Sequence, residues 1–163
     1  MRPRRTAAAA ALLMPYTRVG GAMVFPPPLL AHVQTDGSFG GRHGGRVAAI
    51  LTCADVTTTR RYLAAAQVVN SHEAEWASIA AGLRLALENN ETAIGIENDC
   101  LGVIAALSHH GPDAPRLRQE YAREWRAEIF RMAAETAWTG VRWIPRAKNR
   151  ADDLFRSSSK PLI

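Results

Sequence analysis

Five carboxylates, Asp36, Glu75, Asp99, Asp152 and Asp153, stand apart from the other acids of this 163-residue chain by their places along it. Asp36 ends the short candidate strand His32–Thr35 and precedes Gly37. Glu75 falls in the first turn of an amphipathic segment, Asp99 closes an apolar stretch, and the Asp152-Asp153 pair opens a last helical one. Functional groups of α/β proteins gather at strand ends and helix starts, where the backbone no longer blocks access. Carboxylates brought together there repel each other unless a cation neutralises them, and hard oxygen ligands suit magnesium or manganese. Each acid also has a plainer role. Asp36 before a glycine is a turn residue. Glu75 competes with Glu73, which completes a capping box with Asn70. Asp99, with Glu97 and Asn98 as rivals, suits a helix N-cap.

The elements that must position these groups follow from the apolar pattern. His32–Thr35, Val47–Thr52 and Tyr62–Val69 read as three strands, separated by the turn Gly37, Gly40, Gly41, Gly44 and Gly45 and by the polar Asp55–Thr59. Trp76, Ile79, Ala80, Leu83 and Leu87 form one face of a helix over Glu73–Glu88. Ala93–Glu97 is a strand, and Asp99–Leu107 a helix stopped by His109-His110-Gly111-Pro112. Pro115–Thr136 carries the stripe Leu117, Tyr121, Trp125, Ile129 and Met132. Its arginines alternate with Glu120, Glu124, Glu128 and Glu135, the pattern of a solvated, salt-bridged face. Trp138–Ile144 is a final strand and Ala151–Ser157 a final helix, giving the order βββαβααβα.

Composition bounds the function classes. The chain is 47% hydrophobic and 21% charged, with no apolar run of membrane-spanning length. Cys53 and Cys100 make no metal-ligand cluster and read as reduced thiols of a cytoplasmic protein. The net charge of +5 is concentrated at the start: Arg2, Arg4, Arg5 and Arg18 precede the first acid, Asp36, and from Met23 onward 16 basic residues face 15 acidic ones. Bulk charge alone therefore does not point to nucleic acid. Residues 1–30 read as a basic leader outside the fold. A disordered extension, a start at Met23, a secretory signal and a transit peptide are its competing explanations. A domain over 31–157 and a tail over 158–163 follow.

The acids fall within a recognisable series of motifs. T-D-G-S (Thr35–Ser38) before a glycine-rich turn resembles the opening motif of type 1 ribonucleases H. E-A-E-W (Glu73–Trp76) is similar to the family's helix motif, and E-N-D-C (Glu97–Cys100) to its strand-end segment. W-I-P-R-A-K-N-R-A-D-D-L-F-R (Trp143–Arg156) resembles its closing segment. Any one of these arises by chance; all four, in order and at element edges, form a specific signal. The resemblance implies a ribonuclease H-like α/β fold: a mixed five-stranded sheet, three antiparallel strands then parallel ones, with helices on both faces. It selects Glu75 over Glu73. Counting back from A-D-x-L-x-R selects Asp152, the preferred last acid; counting forward from Asn149 selects Asp153.

What the resemblance implies for function is metal-dependent hydrolysis of the RNA strand of an RNA–DNA hybrid. Asp36, Glu75, Asp99 and Asp152 would hold two Mg²⁺ ions, with Mn²⁺ as the alternative, in a monomeric protein without a membrane partner. Gly37, Ser38, Asn70, Ser71, Arg146, Lys148 and Asn149 are the expected nucleic-acid contacts. Two family features are missing: the loop Arg146–Arg150 has no histidine, and no basic helical protrusion fits before Thr136. These departures keep open a nuclease of the same fold acting on structured DNA, a non-catalytic hybrid-binding module, and an interaction domain whose acids are caps and turns.

Overall fold

The computed structural model describes residues 15–21, 26–109, 114 and 116–157. The basic start of the leader, Ala7–Leu13, the His110-Gly111-Pro112 stop, Pro115 and the tail lie outside the described residues.

A mixed α/β sheet forms the frame. The strands are β1 (Thr17–Arg18), β2 (Ala31–Phe39), β3 (Gly45–Thr52), β4 (Thr59–Ala65), β5 (Ala93–Asn98) and β6 (Trp138–Trp143). The helices are α1 (Ser71–Glu88), α2 (Leu101–Leu107), α3 (Glu120–Ala133) and α4 (Asp152–Ser157). Spatial order is β1-β6-β5-β2-β3-β4. β2, β3 and β4 form the expected antiparallel meander, while β5 runs parallel to both β2 and β6. The sheet thus has six strands where the sequence suggested five. The sixth, β1, comes from the segment set aside as leader and pairs antiparallel with β6. Tyr16, just before β1, lies over Gly95, where a side chain would occupy the space of the ring: a Cβ there would sit 2.4 Å from Tyr16 Cζ.

Alternation along the strands divides them between two faces. Val33, Ala49, Leu51, Ile94, Ile96 and Val141 point to one face, where they bury against Trp76, Ile79 and Leu83 of α1, Val103 and Leu107 of α2, and Ile129 of α3. The other face holds a smaller cluster in which Ala48 packs against Ala151 and Phe155. Edge strand β4 is largely exposed and carries Arg60 and Arg61, charges that discourage pairing with another chain.

Element bounds differ from expectation where polar residues were read as ends. β2 continues through Asp36 to Phe39, because the Gly37–Phe39 backbone pairs with Gly45–Val47 of β3. β4 lies at Thr59–Ala65, earlier than Tyr62–Val69. α3 begins at Glu120, well after Pro115, and α2 begins at Leu101, so Asp99 is not its N-cap. Arg131 of α3 pairs on the surface with Glu128 at 2.6 Å and with Glu135, just past the helix end, at 3.5 Å. Cys53 and Cys100 are both free thiols. Among the described residues no helix is long and apolar enough to cross a membrane.

Candidate metal centre

Asp36 occupies the point where the sheet opens. The parallel ladder between β2 and β5 ends at Gln34 opposite Glu97, while the antiparallel ladder with β3 runs on to Phe39. Past that point β5 turns away through Asn98 and Asp99, leaving a gap beside Asp36. Asp36 therefore lies within its strand, two residues past the end of the parallel ladder.

Glu75 reaches the gap from α1. Asn70 caps this helix as expected, its Oδ1 accepting the Glu73 N–H at 2.8 Å. Glu73 is fully engaged elsewhere: Oε2 accepts the Val69 N–H at 2.6 Å and Oε1 the Trp125 indole N–H at 3.1 Å. The helix start can press against β2 because Gly37 has no side chain. A Cβ there would lie 2.2 Å from the Ala74 carbonyl carbon and oxygen and 2.6 Å from the Glu75 nitrogen. No rotamer change relieves a clash with backbone.

Asn98, fully buried, ties these pieces together. Its Nδ2 donates to the Thr35 carbonyl and hydroxyl, both at 3.0 Å, and to Glu75 Oε2 at 3.2 Å. Its Oδ1 accepts the Cys100 N–H at 2.7 Å, shaping the turn that carries Asp99. The Trp143 indole donates to the Asp99 carbonyl at 3.0 Å.

The outcome is a close triad. Asp36, Glu75 and Asp99 each offer a carboxylate oxygen, and these oxygens lie within 4.8 Å of one another. Burial, then the charge of Glu75, then that of Asp99, pushes the Asp36 carboxyl up to about 8. Burial and the charge of Asp99 push Glu75 up to about 7, against the opposing hydrogen bond from Asn98. A hard divalent cation relieves both effects, and an all-carboxylate donor set fits magnesium or manganese. Asp152 is outside the close triad but lines the same hollow of about 260 Å³, with Ser38 and Arg146. Its carboxylate is paired with Arg156, one helical turn along. Asp153 lines a different hollow, beside His32 and Gln34 on the sheet face that carries α4.

The other sequence candidates scatter. Gly37, Ser38 and Arg146 all line the acidic hollow. Ser71 is exposed at the start of α1, but Asn70 is committed to the cap. Lys148 is exposed, its carbonyl accepting from Gln34 Nε2 at 3.3 Å. Asn149 needs correction as a nucleic-acid contact. It is buried, its Nδ2 donating to the Thr35 carbonyl at 2.8 Å and its Oδ1 accepting the Ala151 N–H at 3.2 Å, so both ends of its carboxamide are engaged inside the protein. Sequence reading missed the roles of Asn98 and Gln34. The available signal was a polar residue at an inward position of a strand, as in A-I-G-I-E-N.

Residues 34–157 match the reverse transcriptase-like family. Comparison with curated protein sequences returns no significant match. Among solved structures, the N-terminal RNase H domain of a Mycobacterium tuberculosis protein superposes with a TM-score of 0.67 at 20% identity, covering 80% of this chain and 96% of that one. RNase H1 of Halobacterium salinarum gives 0.64 at 22% identity over 76% of this chain and 92% of that one. LC11-RNase H1, isolated from compost and solved in complex with an RNA/DNA hybrid, gives 0.63 at 19% identity, with coverage of 76% and 92%. The chain belongs to the reverse transcriptase-like family, and its fold is that of ribonuclease H domains.

Proposed function

We propose that the protein is a metal-dependent endonuclease that hydrolyses the RNA strand of RNA–DNA hybrids. The observation carrying this reading is the triad Asp36, Glu75 and Asp99, whose oxygens lie within 4.8 Å of one another at the opening of the sheet. The hybrid bound to LC11-RNase H1, a structural neighbour, supports the choice of substrate.

Asp36, Glu75 and Asp99 would hold the cation, and Asp152, on the rim of the same hollow, would join them on leaving its pair with Arg156. When bound, Mg²⁺ or Mn²⁺ supplies Lewis acidity for water activation and for the charge that develops on the leaving 3′ oxygen. The chain's own groups do the rest. Asn98 holds the Glu75 carboxylate in place. Arg146, which lines the same hollow, would offer a bidentate donor to the scissile phosphate. The backbone of Gly37 and the hydroxyl of Ser38 border the hollow on the side where 2′-hydroxyls in a minor groove would be read. Ser71 and the backbone amides of the α1 start suit a phosphate of the DNA strand.

The test is cleavage of a labelled RNA–DNA hybrid beside duplex DNA, with and without Mg²⁺. Hybrid cleavage that needs the metal and is abolished by Asp36→Asn and Asp99→Asn is the expected result. Full activity in either variant would overturn the site. Cleavage of duplex DNA alone would transfer the fold to the structured-DNA reading, and metal-independent binding without cleavage to the non-catalytic one.

A further inference from the structure

Gln34 lies two residues before Asp36 on β2, on the same face of the strand. The chemistry above does not use it, yet both ends of its carboxamide are engaged. Oε1 accepts the Arg150 N–H at 2.9 Å, and Nε2 donates to the Lys148 carbonyl at 3.3 Å and to Glu97 Oε1 at 3.4 Å. Lys148 and Arg150 flank Asn149, whose side chain is bonded to Thr35 on the same strand and to Ala151. Two consecutive residues of β2 therefore hold three consecutive residues of the segment that delivers Arg146 on one side and Asp152 on the other.

The direction of the Gln34 carboxamide is itself determined. Glu97 stands opposite Gln34 in the parallel register. Its Oε2 takes two hydrogen bonds from Arg142, from Nε at 2.9 Å and from Nη2 at 2.8 Å, and the two side chains are only 8% and 10% exposed. The Arg142 guanidinium in turn lies 4.2 Å above the Tyr16 ring. An ionised carboxylate only accepts hydrogen bonds, so Gln34 must turn its NH₂ toward Glu97 and its oxygen toward the Arg150 N–H. A buried ion pair is a weak source of stability compared with apolar packing. Here it orients the neighbouring side chain, a role apolar residues cannot fill.

We propose that Gln34 is a positioning residue: it locks the Pro145–Ala151 segment to β2 and thereby fixes Asp152 relative to Asp36. The consequence for catalysis rests on the metal-dependent reading above; the consequence for the segment does not.

The experiment is site-resolved amide hydrogen exchange on the full chain, comparing wild type with Gln34→Met, which keeps length and bulk but loses all three hydrogen bonds. The Arg150 and Ala151 amides should exchange about 10-fold faster, with amides in the middle of α1 and β5 within about twofold of wild type. Gln34→Asn, one methylene short, should fall between. Calorimetric Mn²⁺ titration of the same proteins should show binding weakened roughly 3- to 10-fold in Gln34→Met. Unchanged exchange at Arg150, or an equal rise throughout the sheet, overturns the locking role. Faster local exchange with unaltered Mn²⁺ affinity overturns the link to Asp152. A protein that cleaves no nucleic acid leaves the exchange measurement intact, so failure of the nuclease reading is distinguishable from failure of this one.

Discussion

Asp152 and Asp153, consecutive in sequence, line different hollows: Asp152 lines the one that holds Asp36, Glu75 and Asp99, whereas Asp153 lines another with His32 and Gln34. Consecutive residues at a helix start point about 100° apart, enough to send neighbours to opposite sides of α4.

The two should therefore separate in a cleavage assay. Asp152→Asn is expected to lower metal-dependent turnover by about 100-fold, and Asp153→Asn to stay within roughly threefold of wild type. The reverse order would move the fourth acid to Asp153.

Metal-free stability should respond to pH in an unusual direction. The Asp36 carboxyl stands at about 8 in the folded chain against an ordinary 3.8. Between those values the folded state keeps a proton that the unfolded chain has released, so stability falls as pH rises through the window. Asp36→Asn should therefore raise the melting temperature in chelator by roughly 3–6 °C near about pH 8, and by less near about pH 5. Thermal scans at both pH values, with and without Mg²⁺, check this. A variant less stable than wild type near pH 8 without metal contradicts the repulsion.

Gly37 and Gly102 make a contrasting pair. A Cβ at Gly37 meets the Ala74 carbonyl at 2.2 Å, whereas one at Gly102, on the exposed side of α2, meets nothing within 4 Å. Gly37→Ala should cost about 1–3 kcal/mol and weaken Mg²⁺ binding by displacing Glu75. Gly102→Ala, in the first turn of α2, should stabilise by up to about 0.5 kcal/mol, because alanine loses less backbone freedom than glycine on entering a helix. Urea unfolding reads both, and equal midpoints for the two variants would be inconsistent with these contacts.

Tyr16 secures the first strand. Its hydroxyl is 2.7 Å from His32 Nδ1, its ring meets Trp138 edge-on, and burial pushes its ionisation well above the usual tyrosine range. Tyr16→Ala should cost about 2–4 kcal/mol and Tyr16→Phe only about 1 kcal/mol. A chain starting at Met23 should show the larger loss. An unchanged unfolding midpoint in Tyr16→Ala would mean that this segment is not part of the folded unit.

Much of the frame was legible because it depends on local pattern. The helical stripe of Trp76, Ile79 and Leu83 buries one face, the apolar run Val47–Thr52 supplies both sides of its strand, and such apolar patterns are written in the sequence. The Asn70 cap was legible for the same reason, since its partner lies three residues away. Bounds were less legible. Pairing with β3 carried β2 through Asp36 and Gly37, against the turn preference of both residues.

The sequence by itself marked the candidate acids and the order of the elements carrying them, since motif spacing and hydrophobic period are properties of the chain read in one dimension. Tertiary structure alone decided which groups meet. It closed Asp36, Glu75 and Asp99 into a triad, through a glycine where two backbones touch and a buried Asn98 joining β2, α1 and the turn after β5. It turned Asn149 inward, and Asp152 and Asp153 to different sides. It also recruited Tyr16 and β1 into a fold from which composition had excluded them. Such contacts join residues far apart in the chain, as Thr35 and Asn149 are at 114 positions, and no local propensity encodes them.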